Sequence, residues 1–151
     1  MKLRRTGILG VGLTPFENYE GVTVEAIAHR AILAALADAD ITKMDVQAVL
    51  AAHLYQGEVF GQRILRGLHM PEVQVVNIEN ACAGGSSAVR QAWLSVGTGE
   101  YDVVLVVGAE KMGRGLINFV GADLELTLGN AAPAQYALCG QRHAFEYGTS
   151  I

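Results

Sequence analysis

Short apolar runs alternate along the chain with longer segments in which apolar residues recur at helical spacing. Four apolar runs predict β-strands over residues 7–13, 46–52, 73–78 and 103–108. Helical spacing predicts helices over residues 24–36, 59–68, 83–96 and 133–147. Strands separated by helices favour right-handed βαβ crossovers and a parallel sheet. We therefore predict the α/β fold class, with helices on both faces of the sheet.

The pattern changes after Gly108. Residues 110–132 are irregular and rich in glycine, and a helix with Pro133 in its first turn is expected to follow. We expect an α/β domain over residues 1–109 and a separate segment over residues 110–151. A four-stranded parallel sheet would leave one long edge unpaired, so we expect more chain, a second polypeptide or an oligomer to cover it.

Composition excludes several classes of function. The net charge is −4 and no block of basic residues occurs, which argues against nucleic-acid binding and against a polybasic membrane site. The glycine-broken apolar run near the N-terminus is too short to span a membrane. Cys82 and Cys139 are the two cysteines and form no CxxC pair, so no zinc site is expected. We predict a reduced, cytoplasmic protein.

The segment 75–88 carries the candidate chemistry. It predicts a strand, a sharp turn of small residues and a helix, with Cys82 at or next to the first helical residue. Unpaired backbone N–H groups at a helix start favour a thiolate, and open α/β sheets bind ligands beyond the carboxyl ends of their strands. The arrangement follows the logic of the nucleophile elbow of hydrolases. A buried cysteine packed as a small hydrophobic residue remains the alternative.

Several segments resemble, in order, those of one family. Residues 77–88, Asn-x-x-Asn-Ala-Cys-Ala-Gly-Gly-Ser-Ser-Ala, are similar to the nucleophile segment of thiolases of the sterol-carrier-protein type. Residues 10–16 look like the first strand and turn of that branch, and Gln62-Arg63 resembles part of its second helix. Residues 99–112 resemble its fourth strand, and residues 136–149 a helix of its loop domain. The resemblance covers essentially the whole chain.

The resemblance implies the N-terminal part of a five-layered αβαβα body, with the start of a loop domain over residues 110–151. It also implies an acyl-CoA thiolase, or acetyl-CoA acetyltransferase, in which Cys82 carries the acyl group and coenzyme A is a co-substrate, with no metal and no permanently bound cofactor. The activating histidine and second acid/base group of the family lie in a later half, and its Gly-His-Pro motif and late Cys-x-Gly motif do not occur in this chain after the Cys82 segment. The active site would be completed by further polypeptide.

The resemblance further implies partners. Thiolases are commonly homodimers or tetramers, and residues 73–78 correspond to the strand that usually pairs across the dimer axis. Members of this branch often bind a small zinc-ribbon and OB-fold (DUF35-like) subunit. Arg114 and Arg142 are candidates for contacting a CoA phosphate, because the loop domain of the family contacts CoA. Acyl-chain specificity and reaction direction stay open.

Other polar residues are given structural interpretations. His53 follows the second predicted strand, and a hydrogen-bonded structural role is favoured over a catalytic one. A solvated or capping role is favoured for His143, and a core thiol for Cys139. Glu110 and Lys111 end the fourth predicted strand and are expected at most to pair with each other.

Three alternative functions remain. A thiolase-like aldolase shares the scaffold but tends to lack the nucleophilic cysteine. A ketosynthase or hydroxymethylglutaryl-CoA synthase relative shares the fold and the cysteine, although residues 136–149 favour the sterol-carrier branch. A non-catalytic thiolase-fold subunit of a larger complex is the third, and the intact turn around Cys82 argues against it.

Overall fold

The computed structural model describes residues 3–113, 128–129 and 131–150. The helices are α1 (Val24–Asp38), α2 (Phe60–Gly67), α3 (Gly84–Thr98) and α4 (Ala132–Tyr147). The strands are β1 (Ala48–Ala52), β2 (Gln74–Ile78) and β3 (Val104–Gly108). Single 3₁₀ turns occupy Lys43–Asp45 and Ala81–Ala83. The chain divides into two compact units, Met1–Met112 and Gly113–Ile151.

The sheet of the first unit is parallel, as predicted. Its strand order is β2-β1-β3, and β1 pairs with both neighbours over its whole length. At the carboxyl end, Ala52 of β1 is aligned with Ile78 of β2 and with Gly108 of β3. The segments that follow the three strands therefore begin side by side at one edge of the sheet.

Helices cover both faces of this sheet, which confirms the α/β prediction. On one face, α1 and α2 bury a cluster around Val49 and Phe60, both 0 % exposed. On the other face, α3 packs through Ala88 against Leu50 and Ala52 of β1. The central strand β1 is buried at all five positions, which explains its uninterrupted apolar sequence.

The helix ends follow signals in the sequence. Thr23 caps α1, and its hydroxyl oxygen accepts a hydrogen bond from the Ala26 N–H at 3.2 Å. Gly99 ends α3 in the left-handed conformation, with φ of 85°, which glycine adopts without steric cost. Apart from the first predicted strand, each helix and strand begins and ends within two residues of its predicted boundaries.

The predicted strand over residues 7–13 is wrong for the described structure. Its apolar side chains are largely exposed, and Ile8 keeps 83 % of its surface. The segment instead lies against α1, where Gly12 approaches so closely that a Cβ would be 2.0 Å from the Ala31 carbonyl oxygen. The segment and β3 line a common groove of about 850 Å³. Among the described residues no strand pairs with residues 7–13. Extended backbone in this segment therefore has no neighbouring strand with which to form β-sheet hydrogen bonds.

The second unit is described mainly by α4. Pro133 lies in its first turn, as predicted, and Gly148 ends it with φ of 65°. No described residue of α4 is buried, and Tyr136 and Phe145 are among its exposed aromatic side chains. Over the described part of the chain, no helix is both long and apolar enough to cross a membrane.

Candidate active site

Cys82 lies where the sequence places it, between a strand and a helix. It is the middle residue of the 3₁₀ turn Ala81–Ala83, and α3 begins two residues later at Gly84. Its thiol is free and its side chain is exposed, so the alternative of a buried packing cysteine is wrong. Gly84 and Ala88 are the buried residues of the same first turns, which anchors the turn on the end of the sheet.

The backbone of this turn is sharply bent. Ala81 has φ of 44°, in a region that non-glycine residues seldom occupy. Its N–H donates a hydrogen bond to a Glu79 carboxylate oxygen at 2.6 Å, and the Ala83 N–H bonds the Asn80 carbonyl oxygen at 2.9 Å. Such strain persists only where neighbouring contacts hold it, and it clusters at functional sites. The bend lifts Cys82 out of the strand direction and into solvent.

Polar residues of the nucleophile segment support the turn. The Asn80 amide nitrogen donates to the Ser87 hydroxyl at 2.8 Å, which ties the residue before the turn to α3. The Ser86 hydroxyl donates to the Ala83 carbonyl oxygen at 3.0 Å. The Asn77 carboxamide oxygen accepts from the Gly61 N–H at 2.6 Å, so β2 is tied to the start of α2. These residues hold the cysteine turn in place and do not provide a base for it.

His53 lies at the same edge of the sheet. Its backbone N–H bonds the Ile78 carbonyl oxygen at 3.2 Å, and its ring meets the Phe60 ring edge-on at 5.0 Å. The ring was expected to be hydrogen-bonded, but Nδ1 is buried without a partner among the described residues. A structural role in packing against Phe60 agrees with this geometry.

Glu110 and Lys111 do not pair with each other, and that prediction is wrong. The Glu110 carboxylate accepts hydrogen bonds from the backbone N–H groups of Leu54 at 2.6 Å and Tyr55 at 3.2 Å, and from the Gln56 carboxamide. The Lys111 ammonium donates to the Val22 carbonyl oxygen at 2.5 Å, ahead of α1. Both residues therefore anchor other segments to the end of β3.

Arg63 of α2 holds the loop after β1 from its other side. Its guanidinium donates to the Gln56 carbonyl oxygen at 2.6 Å, to the Glu58 carbonyl oxygen at 2.5 Å and to the Glu25 carboxylate at 2.9 Å. The hydrogen bond from Arg63 and the backbone N–H of Glu25 itself hold the pKa of the Glu25 carboxyl below its ordinary value. The ion pair therefore connects α1, α2 and the loop.

The Glu25–Arg63 pair predicts a pH-dependent part of the stability. Because the pKa of Glu25 is lowered in the folded state, its contribution is present above the unfolded carboxyl pKa and is lost as pH falls through the folded pKa. Both side chains are partly exposed, so we expect only about 0.5–1 kcal/mol. Urea unfolding at pH 7 and pH 3 checks this. Glu25→Gln should lower stability at pH 7, and its difference from wild type should become smaller at pH 3 as the carboxyl protonates; an equal loss at both values would contradict it.

Among the described residues of the second unit, the candidates on α4 do not form a site of their own. Cys139 is exposed on α4, so the prediction of a core thiol is wrong: this helix buries no described residue. Arg142 pairs with Glu146 one turn along the helix at 2.5 Å. The His143 Nδ1 lies 3.4 Å from the Thr149 hydroxyl, in line with a solvated role. Arg114 lies outside the described residues.

The comparisons with known proteins decide the family. A family model described as the thiolase N-terminal domain matches residues 6–131. The chain belongs to the thiolase family. The match includes the whole Cys82 segment and the strand that precedes it, and it ends before residues 136–149.

Curated relatives match almost the whole chain. An acetyl-CoA acetyltransferase of Methanocaldococcus jannaschii is 31% identical over 99% of this chain and 41% of its own length. Sterol carrier protein 2 of Gallus gallus is 30% identical over 97% of this chain and 30% of its own length. The predicted sterol-carrier-protein-type resemblance is thereby confirmed. The chain spans well under half the length of these relatives.

The fold comparison agrees. The solved structure of the Ltp2-ChsH2(DUF35) aldolase is 25% identical, with a TM-score of 0.70 over 95% of this chain and 38% of that one. The chain therefore matches between 30% and 41% of the length of these three relatives, which are named as an acetyl-CoA acetyltransferase, a sterol carrier protein and an aldolase. Among the described residues, no group of three or more His, Cys, Asp or Glu side chains could hold a metal ion.

Proposed function

We propose that this chain is the nucleophile-bearing part of an acyl-CoA thiolase, with Cys82 as the residue that becomes acylated. The observation that carries the proposal is the exposed thiol on a strained turn between β2 and α3. Membership of the thiolase family supports it, as does the likeness to an acetyl-CoA acetyltransferase. The exposed thiol gives an acyl-CoA room to approach, whereas a buried one would not.

The reaction is thioester exchange followed by carbon–carbon bond chemistry. The Cys82 thiolate attacks the thioester carbonyl carbon of an acyl-CoA, the new carbon–sulfur bond forms, and the bond to the CoA sulfur breaks. Backbone N–H groups beside the turn stabilise the oxyanion. In the degradative direction the acyl group reaches Cys82 by cleavage of a 3-oxoacyl-CoA, and CoA then accepts it. Coenzyme A acts as co-substrate and no resident cofactor is required.

We propose that further polypeptide completes the active site around Cys82. The thiol proton must pass to a base, and none of the described residues is hydrogen-bonded to the Cys82 sulfur. The family resemblance assigns that role to a histidine in a later half, together with a second acid/base group. We also propose assembly as a homodimer or tetramer in the cytoplasm, where free thiols such as Cys82 and Cys139 stay reduced.

A small accessory subunit is part of the proposal. The name of the structural relative, the Ltp2-ChsH2(DUF35) aldolase, includes a DUF35 protein. That relative supports a zinc-ribbon and OB-fold subunit for this chain as well. Affinity purification of the tagged chain from its native host, with mass analysis of what is retained, identifies such a subunit and any polypeptide that completes the active site.

Intact-protein mass spectrometry tests the proposed chemistry. The assembly purified through the tagged chain is mixed with short and branched acyl-CoA compounds, and the acylated peptide is sequenced. We expect one acyl group on the peptide that contains Cys82 and none on Cys139, which is also exposed but lies on α4. Equal acylation of both thiols would indicate non-specific transfer and reject the proposal.

A thiolase-like aldolase is the second candidate, because the fold comparison includes an aldolase at a TM-score of 0.70. An aldolase of this fold would cleave a carbon–carbon bond without an acyl-cysteine intermediate. Product release from a 3-hydroxyacyl-CoA in the absence of free CoA, with no adduct on Cys82, would favour it over the thiolase.

A further inference from the structure

Three segments leave the sheet at the carboxyl ends of its parallel strands. Cys82 lies four residues beyond β2, Glu110 lies two residues beyond β3, and the loop 54–58 leaves the central strand between them. The His53 N–H bonds the Ile78 carbonyl oxygen and the Ala109 N–H bonds the Ala52 carbonyl oxygen, both at 3.2 Å. Neighbouring strands lie about 4.8 Å apart, so the loop leaves the sheet between the strand that leads to the cysteine turn and the strand that leads to Glu110.

Opposite charges hold the two sides of this loop. The Glu110 carboxylate accepts the backbone N–H groups of Leu54 and Tyr55, at 2.6 Å and 3.2 Å. The Arg63 guanidinium donates to the carbonyl oxygens of Gln56 and Glu58, at 2.6 Å and 2.5 Å. The carboxylate thus accepts hydrogen bonds from N–H groups of the loop, and the guanidinium donates hydrogen bonds to its carbonyl oxygens. Charge-assisted hydrogen bonds of this kind are stronger than neutral ones.

The loop needs such support, because its backbone is strained where it enters α2. Val59 has φ of 49°, which is unfavourable for a β-branched residue. A strained loop of this length would relax if its anchors were removed. The clamp therefore fixes one conformation of the loop at the end of the sheet from which the cysteine turn also leaves.

We propose that Glu110 is a positioning residue for acyl transfer, because it holds the loop 54–58 as a fixed wall beside Cys82. The proposal deepens the thiolase function and rests on it. The wall would confine the acyl chain so that its carbonyl carbon faces the thiolate. It has no part in making the thiolate reactive, since Glu110 acts through the loop and not on the sulfur.

The test separates positioning from thiol reactivity in the assembly purified through the tagged chain. Glu110→Gln keeps the size of the side chain but removes the charge and one acceptor oxygen. We expect acylation of Cys82 by butanoyl-CoA to slow about tenfold, and alkylation of Cys82 by iodoacetamide to stay within about twofold. Hydrogen exchange of the Leu54 and Tyr55 amides should become faster. Glu110→Ala should slow acylation further, since it removes both acceptor oxygens.

The matched control is Glu72→Gln. Glu72 is exposed and lies just before β2, at the amino end of the parallel strands, whereas Cys82 and Glu110 lie beyond the carboxyl ends. This substitution should leave acylation, alkylation and exchange unchanged. If Glu110→Gln frees the two amides but acylates at the wild-type rate, the loop is only structural and the positioning role is overturned. Equal slowing of acylation and alkylation also overturns it. Absence of any adduct in wild type instead rejects the thiolase function itself, and the positioning role with it.

Discussion

Cys82→Ala should abolish acyl transfer by the complete assembly, with a fall in rate of at least about 10³-fold. The thiolate is the group that forms the covalent bond, and neither an alanine methyl nor water at that position replaces it. The side chain is exposed and makes no packing contact in the core. The free energy of unfolding should therefore change by less than about 0.5 kcal/mol. Thiolytic cleavage of a 3-oxoacyl-CoA and urea unfolding measure the two quantities.

Cys139→Ala is the matched control, because this second free thiol is also exposed. It should retain wild-type activity. Cys82→Ser adds a further comparison: its hydroxyl is a much poorer nucleophile than a thiolate at neutral pH, so activity should remain strongly reduced. Wild-type turnover by Cys82→Ala, with a folded and assembled protein, would contradict covalent catalysis at this residue and favour the aldolase alternative.

Most of the fold could be predicted because its signals are local. Thr23 marks the start of α1 and Gly99 the end of α3, and each works through contacts within a few residues. The uninterrupted apolar run 103–107 in β3 indicates burial on both faces without reference to distant parts of the chain, and its residues do pack into the core clusters of both faces. Strand pairing is different, since it depends on residues far away in sequence. Residues 7–13 have an apolar composition typical of a strand, yet among the described residues no neighbouring strand pairs with them.

The candidate site divides in the same way. The turn around Cys82 could be predicted, because a strand, small residues and a helix follow one another in sequence. The role of Glu110 could not, because its partners Leu54 and Tyr55 lie more than fifty residues away and present backbone groups. The hold of Arg63 on the loop could not be predicted either, because its partners in the loop are the carbonyl oxygens of Gln56 and Glu58. Backbone partners leave no side-chain pattern in the sequence that could indicate the clamp.

Phe60→Ala should destabilise the first unit by about 3–5 kcal/mol, which is a large part of the stability of a typical domain. Phe60 is 0 % exposed and lies in the cluster that joins α1 and α2 to the sheet. Its ring also meets the His53 ring at 5.0 Å and lies 5.6 Å from the Arg63 guanidinium carbon. Removal of the ring leaves a cavity beside His53 and Arg63, the residue before the loop 54–58 and the residue that holds it, so stability and, under the positioning proposal, acyl transfer should both fall.

Phe16→Ala is the matched control, because the same ring is deleted from a side chain that is 94 % exposed. Its unfolding midpoint in urea should shift by an amount equivalent to less than about 0.5 kcal/mol. A small effect of Phe60→Ala, comparable with that of Phe16→Ala, would show that the core does not depend on this ring. Loss of stability with unchanged acylation by the remaining folded protein would show that the cavity does not reach the loop. If stability and acyl transfer both fall while iodoacetamide alkylation of Cys82 is unchanged, the packing under α2 determines the position of the loop 54–58. The reactivity of the thiol then does not depend on that packing.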